Sequence, residues 1–182
     1  MPRVPFVSRN LAEPEELVKA IRLRRGGQLS ELDRLLLHSP PFAQGWNTFL
    51  GQIRTKMKLD PKVREIVMCG VALINDAQYE YDGHLPELLK AGGTREQGEA
   101  LRDPLAAMSN TALFTKVERA AIRLYSEMTS NVRVNDATFE AAREALGNTQ
   151  ELVELVGTIA AYNMVSRFLV AMNLVEDDKS ED

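Results

Sequence analysis

The 182-residue chain is poor in several residue types that mark a particular chemistry. Its single cysteine, Cys69, excludes an intrachain disulfide, a Cys-x-x-Cys redox pair and a cysteine-rich zinc site. It has only two histidines, His38 and His84, which leaves little for a histidine-rich metal centre. Its net charge of −4 gives no basic excess for phosphate groups, so we expect no nucleic-acid partner.

Long apolar segments are also scarce in the sequence. The first ten residues, MPRVPFVSRN, lack the apolar core of a signal peptide, and no segment is expected to be long enough to span a membrane. The lone cysteine fits a reducing compartment. We therefore predict a cytoplasmic protein with no membrane partner.

The sequence does contain many residues that are typical of helix starts. Asp60-Pro61 has the form of a helix N-cap followed by proline at the first helical position, and the segments from Thr94 and from Thr115 have the form of capping boxes. Apolar residues recur at helical spacing throughout. Predicted helices cover about 15–25, 28–37, 41–57, 61–74, 76–91, a short segment after 94, 115–130, 135–147 and 149–173.

The predicted fold class is therefore all-α, with one domain over residues 1–182, because no low-complexity linker divides the chain. We place N-terminal helices at 9–37, a core at 42–130 and an acidic tail at 176–182. The tail is expected to be frayed.

Ionisable residues among apolar ones are the informative exceptions in such a chain. Glu65 lies in the apolar helix predicted for 61–74, and Glu80 and His84 lie four apart on the next helix, so they share one face. An antiparallel turn at Asn75-Asp76 would bring Glu65 near His84, since each is about ten residues from the turn. A carboxylate orients an imidazole and raises its pKa, which suits acid–base catalysis, although a Glu and a His four apart also form ordinary surface pairs.

Four further residues are candidates for binding a substrate: Tyr81, Trp46, Tyr162 and Asn163. Tyr81 directly follows Glu80, and Asn163 brings a polar group into an apolar helix. The alternative for the aromatic residues is a place in the core or in a subunit contact.

One segment resembles a known family. The run REIVMCGVALINDAQYEYDGHLPELLKAGGT, residues 64–94, is similar to the core of the carboxymuconolactone decarboxylase family, which includes the AhpD-type alkylhydroperoxidases. Their motif is a Glu, eleven residues, then Cys-x-x-Cys-x-x-x-His. The flanking segments PFAQGWNTFLG and AAYNMVSRFLVAMNL also resemble longer members, which implies an AhpD-like helical bundle.

The same alignment shows a departure from the redox motif. The matching positions here are Glu65, Ala77, Glu80 and His84, so both motif cysteines are missing. A thiol peroxidase needs an attacking thiolate and a resolving thiol, which Ala77 and Glu80 cannot supply. Cys69 is expected to be a buried, unreactive thiol, since burial and the nearby Glu65 both raise a thiol pKa.

The decarboxylase branch of the family needs no cysteine pair. As the resemblance implies, it removes carbon dioxide from a small unsaturated lactone acid without a metal or organic cofactor. We predict a cofactor-free lyase or isomerase acting on a small organic acid, with Glu65, Glu80 and His84 as catalytic residues and no metal. A peroxidase-like member without the dithiol, and a non-catalytic ligand-binding oligomer, are the alternatives. The resemblance also implies a homo-oligomer, a trimer or hexamer.

Overall fold

The structure is a computed structural model that describes residues 2–174, so the predicted acidic tail lies outside the described residues. Within residues 2–174 all regular secondary structure is helical and no strand forms, which confirms the all-α class. In chain order the helices are α1 (Glu15–Arg24), α2 (Glu31–Leu36), α3 (Pro40–Thr55), α4 (Pro61–Ile74), α5 (Gln78–Lys90), α6 (Arg95–Ala100), α7 (Pro104–Ala107), α8 (Lys116–Asn131), α9 (Asp136–Leu146) and α10 (Thr149–Met172).

The helices begin where short polar side chains meet free backbone N–H groups. The Asp60 carboxylate accepts hydrogen bonds from the N–H groups of Lys62 and Val63, at 2.9 and 3.0 Å. Both predicted capping boxes are present, at Thr94 and at Thr115. Each satisfies N–H groups that the first turn of a helix leaves without an intrahelical acceptor.

One helix start was missed in the sequence. The proline of Asp103-Pro104 predicts a break between helices, but the pair begins α7, and the Asp103 carboxylate accepts from the Ala106 N–H at 3.0 Å. The Asp-Pro pair therefore acts here as it does at Asp60-Pro61. The four-residue length of α7 explains the error, because so short a helix shows no apolar periodicity.

The described residues form two compact units, one from residues 2–56 with 171–174 and one from residues 57–170. In the first unit, α3 packs on α1 and α2. Helical spacing in the sequence predicts a buried stripe of Phe42, Trp46, Phe49 and Ile53 on α3, but Phe42 and Phe49 are 45% and 49% exposed. The buried stripe keeps Trp46 and Ile53 and has Ala43 and Leu50 in place of the two phenylalanines.

In the second unit, α4 is the central helix and packs against both α5 and α8. Ile66, Val67 and Met68 have no exposed surface, which agrees with the apolar character of this helix on nearly all sides. Gly70 lets α8 come close to α4, because the ring of Tyr125 occupies the space that a side chain at this position would fill.

The last helix corrects one expectation. Helix α10 is 24 residues long, with a mean hydropathy of 1.4 over its most apolar window, so by length and composition it could cross a membrane. Half of that window is buried inside the protein, with Ile159 and Val165 fully covered, as in a core helix. The absence of a membrane partner stays a prediction.

Candidate active site

A tight turn between α4 and α5 places the predicted site residues. Asp76 adopts a left-handed conformation with φ of 54°, and the Ala77 N–H donates to the Ala72 carbonyl at 2.9 Å. The chain therefore reverses within a few residues and lays α5 along α4. Residues at similar distances from the turn face each other, which brings Glu65 on α4 to His84 on α5.

The imidazole of His84 lies between two carboxylates. Its Nδ1 is 2.7 Å from Glu65 Oε2, and its Nε2 is 3.0 Å from Glu80 Oε1. The three residues are nearly inaccessible, with 4%, 4% and 8% of Glu65, Glu80 and His84 exposed. The expected proximity of Glu65 and His84 is thus present, and Glu80 joins it through the four-residue spacing on α5.

Glu65 is held from a second side by Arg64. The Arg64 Nε donates to Glu65 Oε1 at 3.3 Å, while Oε2 faces His84. Both oxygens of the Glu65 carboxylate are therefore engaged, which fixes its plane. Glu65 is placed to orient His84 rather than to move.

The two carboxylates control the protonation of His84. Burial alone would lower the pKa of His84, but the contacts with Glu65 and Glu80 and their negative charges raise it above the ordinary value of 6.5. Each carboxylate favours the doubly protonated ring, in which both nitrogens donate. The two contacts therefore shift the equilibrium of the His84 ring toward its imidazolium form.

This pKa predicts how stability depends on pH. Because the folded-state pKa of His84 lies above its unfolded value, the contribution to the free energy of unfolding is fully present below about pH 6.5 and is lost as pH rises through the folded-state pKa. Urea unfolding between about pH 6 and pH 9 should show this loss in the native protein and much less of it in His84→Gln. His38→Gln is the control and should keep the loss, since His38 contacts the Pro5 carbonyl in the first unit. Equal slopes for the native protein and His84→Gln would contradict the assignment.

The thiol of Cys69 lies close to this cluster and is buried. Cys69 has no exposed surface, and burial together with the charges of Glu65 and Glu80 raises its pKa far above the ordinary value. A thiol with so high a pKa supplies almost no thiolate at neutral pH. The expectation of a buried, unreactive cysteine agrees with these surroundings.

The candidate substrate-binding residues have different surroundings. The Tyr162 ring meets the His84 ring edge-on, with centroids 5.1 Å apart and planes at 82°. Tyr81 is buried, but its hydroxyl donates to Glu99 Oε1 at 3.3 Å and its ring lies under the Arg102 guanidinium. Tyr162 is therefore the candidate that touches the Glu–His–Glu cluster directly.

Asn163 and Trp46 have other contacts. The Asn163 amide donates to Thr129 Oγ1 and to the Ile159 carbonyl, both at 3.0 Å, and its oxygen accepts from Asn75 at 3.1 Å. This network ties α10 to α8 and to the end of α4. Trp46 belongs to the first unit, where its ring meets Phe42 edge-on. The roles of all four residues in binding a substrate stay predictions.

The sequence pattern did not reveal Tyr125. Its side chain is fully buried, and its hydroxyl has no hydrogen-bond partner among the described residues. Burial, and to a smaller extent the nearby Cys69, raises the pKa of Tyr125. The one available signal was Gly70, a residue with low helix propensity in the middle of an apolar helix, which indicates a close approach by another element.

The fold is similar to that of several solved structures. An uncharacterized peroxidase-related protein from Ralstonia eutropha JMP134, an alkylhydroperoxidase AhpD core, has a TM-score of 0.82 at 17% identity, over 98% of this chain and 93% of its own. A peroxidase-related protein from Silicibacter sp. TM1040 has a TM-score of 0.78 at 15% identity, over 97% and 91%. The debrominase Bmp8, in complex with 2,3,4-tribromopyrrole, has 0.76 at 13% identity, over 97% and 94%. At these identities the likeness shows the fold alone, which is AhpD-like.

Part of the sequence matches a known family. Residues 40–123 match the carboxymuconolactone decarboxylase family. The matched segment contains Glu65, Glu80 and His84 together with the turn that joins their helices. No protein of curated function matches the sequence.

Proposed function

We propose that this protein is a cofactor-free acid–base enzyme, a lyase or isomerase, that acts on a small organic acid. The observation that carries the proposal is the buried His84 imidazole, held at 2.7 Å by Glu65 and at 3.0 Å by Glu80. Paired carboxylates favour the protonated ring, which is the form that a general acid requires. The family supports the same class of chemistry.

The contacts assign a different role to each residue. Glu65, whose two oxygens meet Arg64 and His84, orients the ring and balances its charge. His84 holds the proton that is transferred. Glu80, on the Nε2 side, either passes this proton to the substrate or turns aside so that Nε2 reaches it.

The same proton transfer serves two reactions. In a decarboxylation, the bond from carbon to the carboxylate breaks, carbon dioxide leaves, and the electron pair that stays on carbon takes the proton from this relay. In an isomerisation, the relay removes a proton from one carbon and returns a proton to another. Neither reaction needs an oxidant or a reductant, so atoms and electrons balance without a further co-reactant.

A dithiol peroxidase is not supported by the site. Ala77 and Glu80 occupy the two positions of the motif cysteines, and the raised pKa of Cys69 leaves that thiol protonated. A peroxide therefore meets neither an attacking thiolate nor a resolving thiol. The non-catalytic alternative predicts that an acid binds without any proton transfer. The following experiment distinguishes this alternative from the proposed enzyme.

The test is hydrogen–deuterium exchange at carbon. Small unsaturated lactone acids, β-keto acids and 2-oxo acids are incubated with the protein in D2O, and NMR follows both deuterium incorporation and loss of carbon dioxide. We expect exchange or decarboxylation of at least one compound class above the rate without protein, and no turnover of hydroperoxide with a dithiol reductant. Hydroperoxide turnover, or binding of an acid without any exchange, would contradict the proposal. The homo-oligomer and the cytoplasmic location stay predictions.

A further inference from the structure

Arg64 is the cation that borders the Glu–His–Glu cluster. Its side chain is 14% exposed, and within residues 2–174 its only side-chain hydrogen bond runs from Nε to Glu65 at 3.3 Å. The two terminal nitrogens, Nη1 and Nη2, make no hydrogen bond with the described residues. A mostly buried guanidinium is thus anchored through one N–H group and keeps four N–H donors for another acceptor.

We propose that Arg64 binds a carboxylate of the substrate through Nη1 and Nη2. A planar guanidinium matches a carboxylate with two parallel hydrogen bonds, and such charge-assisted pairs are the strong and geometrically specific ones. The Glu65 carboxylate contacts Arg64 with one oxygen and the Nδ1 of His84 with the other, so a carboxylate bound to Arg64 lies on the Glu65 side of the ring. The reacting carbon of the same substrate then has to extend to the Nε2 side of the ring, where Glu80 lies. This inference rests on the proposed function and names the part of the substrate that the site holds.

The chemistry of decarboxylation indicates which carboxylate of the substrate Arg64 would bind. A cation on the leaving carboxylate stabilises the starting acid and loses that interaction as neutral carbon dioxide forms, so it would slow a decarboxylation. Arg64 therefore holds a carboxylate that the product keeps. A lyase with this site acts on a dicarboxylate, whereas an isomerase acts on an acid with one carboxylate or more.

Two other cations, Lys62 and Arg167, do not offer the same donors to this site. Lys62 forms an ion pair with Glu118 at 2.9 Å, at the start of α8. Arg167, on α10, is exposed to solvent and has no contact with the Glu–His–Glu cluster. Arg167 is therefore a matched control, because its replacement removes the same charge without touching the cluster.

The experiment measures carboxylate binding directly. Acetate, malonate, succinate and maleate are titrated into the native protein, Arg64→Gln, Arg64→Lys and Arg167→Gln, with NMR shifts and calorimetry as readouts. We expect Arg64→Gln to weaken binding of the best probe about ten- to hundred-fold, the range for charge-assisted hydrogen bonds. Arg64→Lys should recover part of the affinity, Arg167→Gln should have no effect, and circular dichroism should show that each variant folds.

The outcomes separate this inference from the proposed function. Binding is measured without turnover, so His84→Gln should retain carboxylate affinity within a few-fold while it loses proton exchange. If no probe binds the native protein more tightly than Arg64→Gln, the inference is wrong, even if exchange depends on His84. If Arg64→Gln only changes the pKa of His84 and leaves affinity intact, Arg64 supports Glu65 and the inference is equally wrong.

Discussion

His84→Gln is expected to slow proton exchange at the substrate carbon by a factor of about 10² to 10⁴, the contribution of a positioned general acid or base. Glutamine can still donate a hydrogen bond to one of the two carboxylates, but its amide does not take up or release a proton near neutral pH. Exchange rates by NMR in D2O measure the effect, and thermal unfolding followed by circular dichroism shows whether the fold survives. Some loss of stability is expected, because Glu65 and Glu80 lose the cation between them.

His38→Gln is the matched control for this change. It removes the other histidine, whose Nε2 lies 2.7 Å from the Pro5 carbonyl in the first unit, and should leave the exchange rate unchanged. A rate for His84→Gln within about threefold of the native rate would remove His84 from the chemistry, since general acid–base effects are far larger. A loss of stability without a loss of rate would identify the Glu–His–Glu cluster as structural.

Glu80→Gln distinguishes the two ways in which a proton can leave Nε2. If Glu80 passes the proton on, the amide cannot replace it and the rate should fall nearly as far as in His84→Gln. If Glu80 only turns aside, the variant should keep much of the rate, and removal of its negative charge should lower the pKa of His84. The pH dependence of exchange therefore reports the role of Glu80 separately from the rate.

The helices and the central contact were predictable because their causes are local. Asp60 and Thr115 cap helices through side chains that reach N–H groups two or three residues away, so the sequence shows both partners at once. The approach of Glu65 to His84 followed from one turn between two helices of similar length. Such a hairpin leaves little freedom in how residues on facing sides meet.

The details that depend on packing between distant segments were not predictable. On α3 the buried stripe contains Ala43 and Leu50 instead of Phe42 and Phe49, because either pair fits a helical stripe with Trp46 and Ile53 and periodicity alone does not choose between them. The reach of Arg64 to Glu65 depends on a side-chain rotamer rather than on spacing. Helix α10 is apolar on all sides, so its sequence marks no buried face and resembles a membrane span.

Gly70→Ala is expected to lower the free energy of unfolding by about 3 kcal/mol, the upper end of the range for an overpacked core. The added methyl group would overlap Cζ and the hydroxyl of Tyr125 and would lie only 2.7 Å from Cε1. Tyr125 has no exposed surface, so the ring cannot turn outward, and α4 and α8 must move apart. Urea unfolding monitored by circular dichroism measures the change.

Gly157→Ala is the matched control, because a methyl group there would meet nothing within 4 Å. This glycine also lies inside a helix, α10, so the same substitution should stabilise the protein by up to about 1 kcal/mol through helix propensity. The same substitution is therefore expected to change the free energy of unfolding in opposite directions at the two glycines.

Combining Gly70→Ala with Tyr125→Leu should lower the free energy of unfolding by less than the sum of the single changes, since the shortened side chain relieves the overlap. Additive losses would show that the ring of Tyr125 is not what makes glycine necessary at this position.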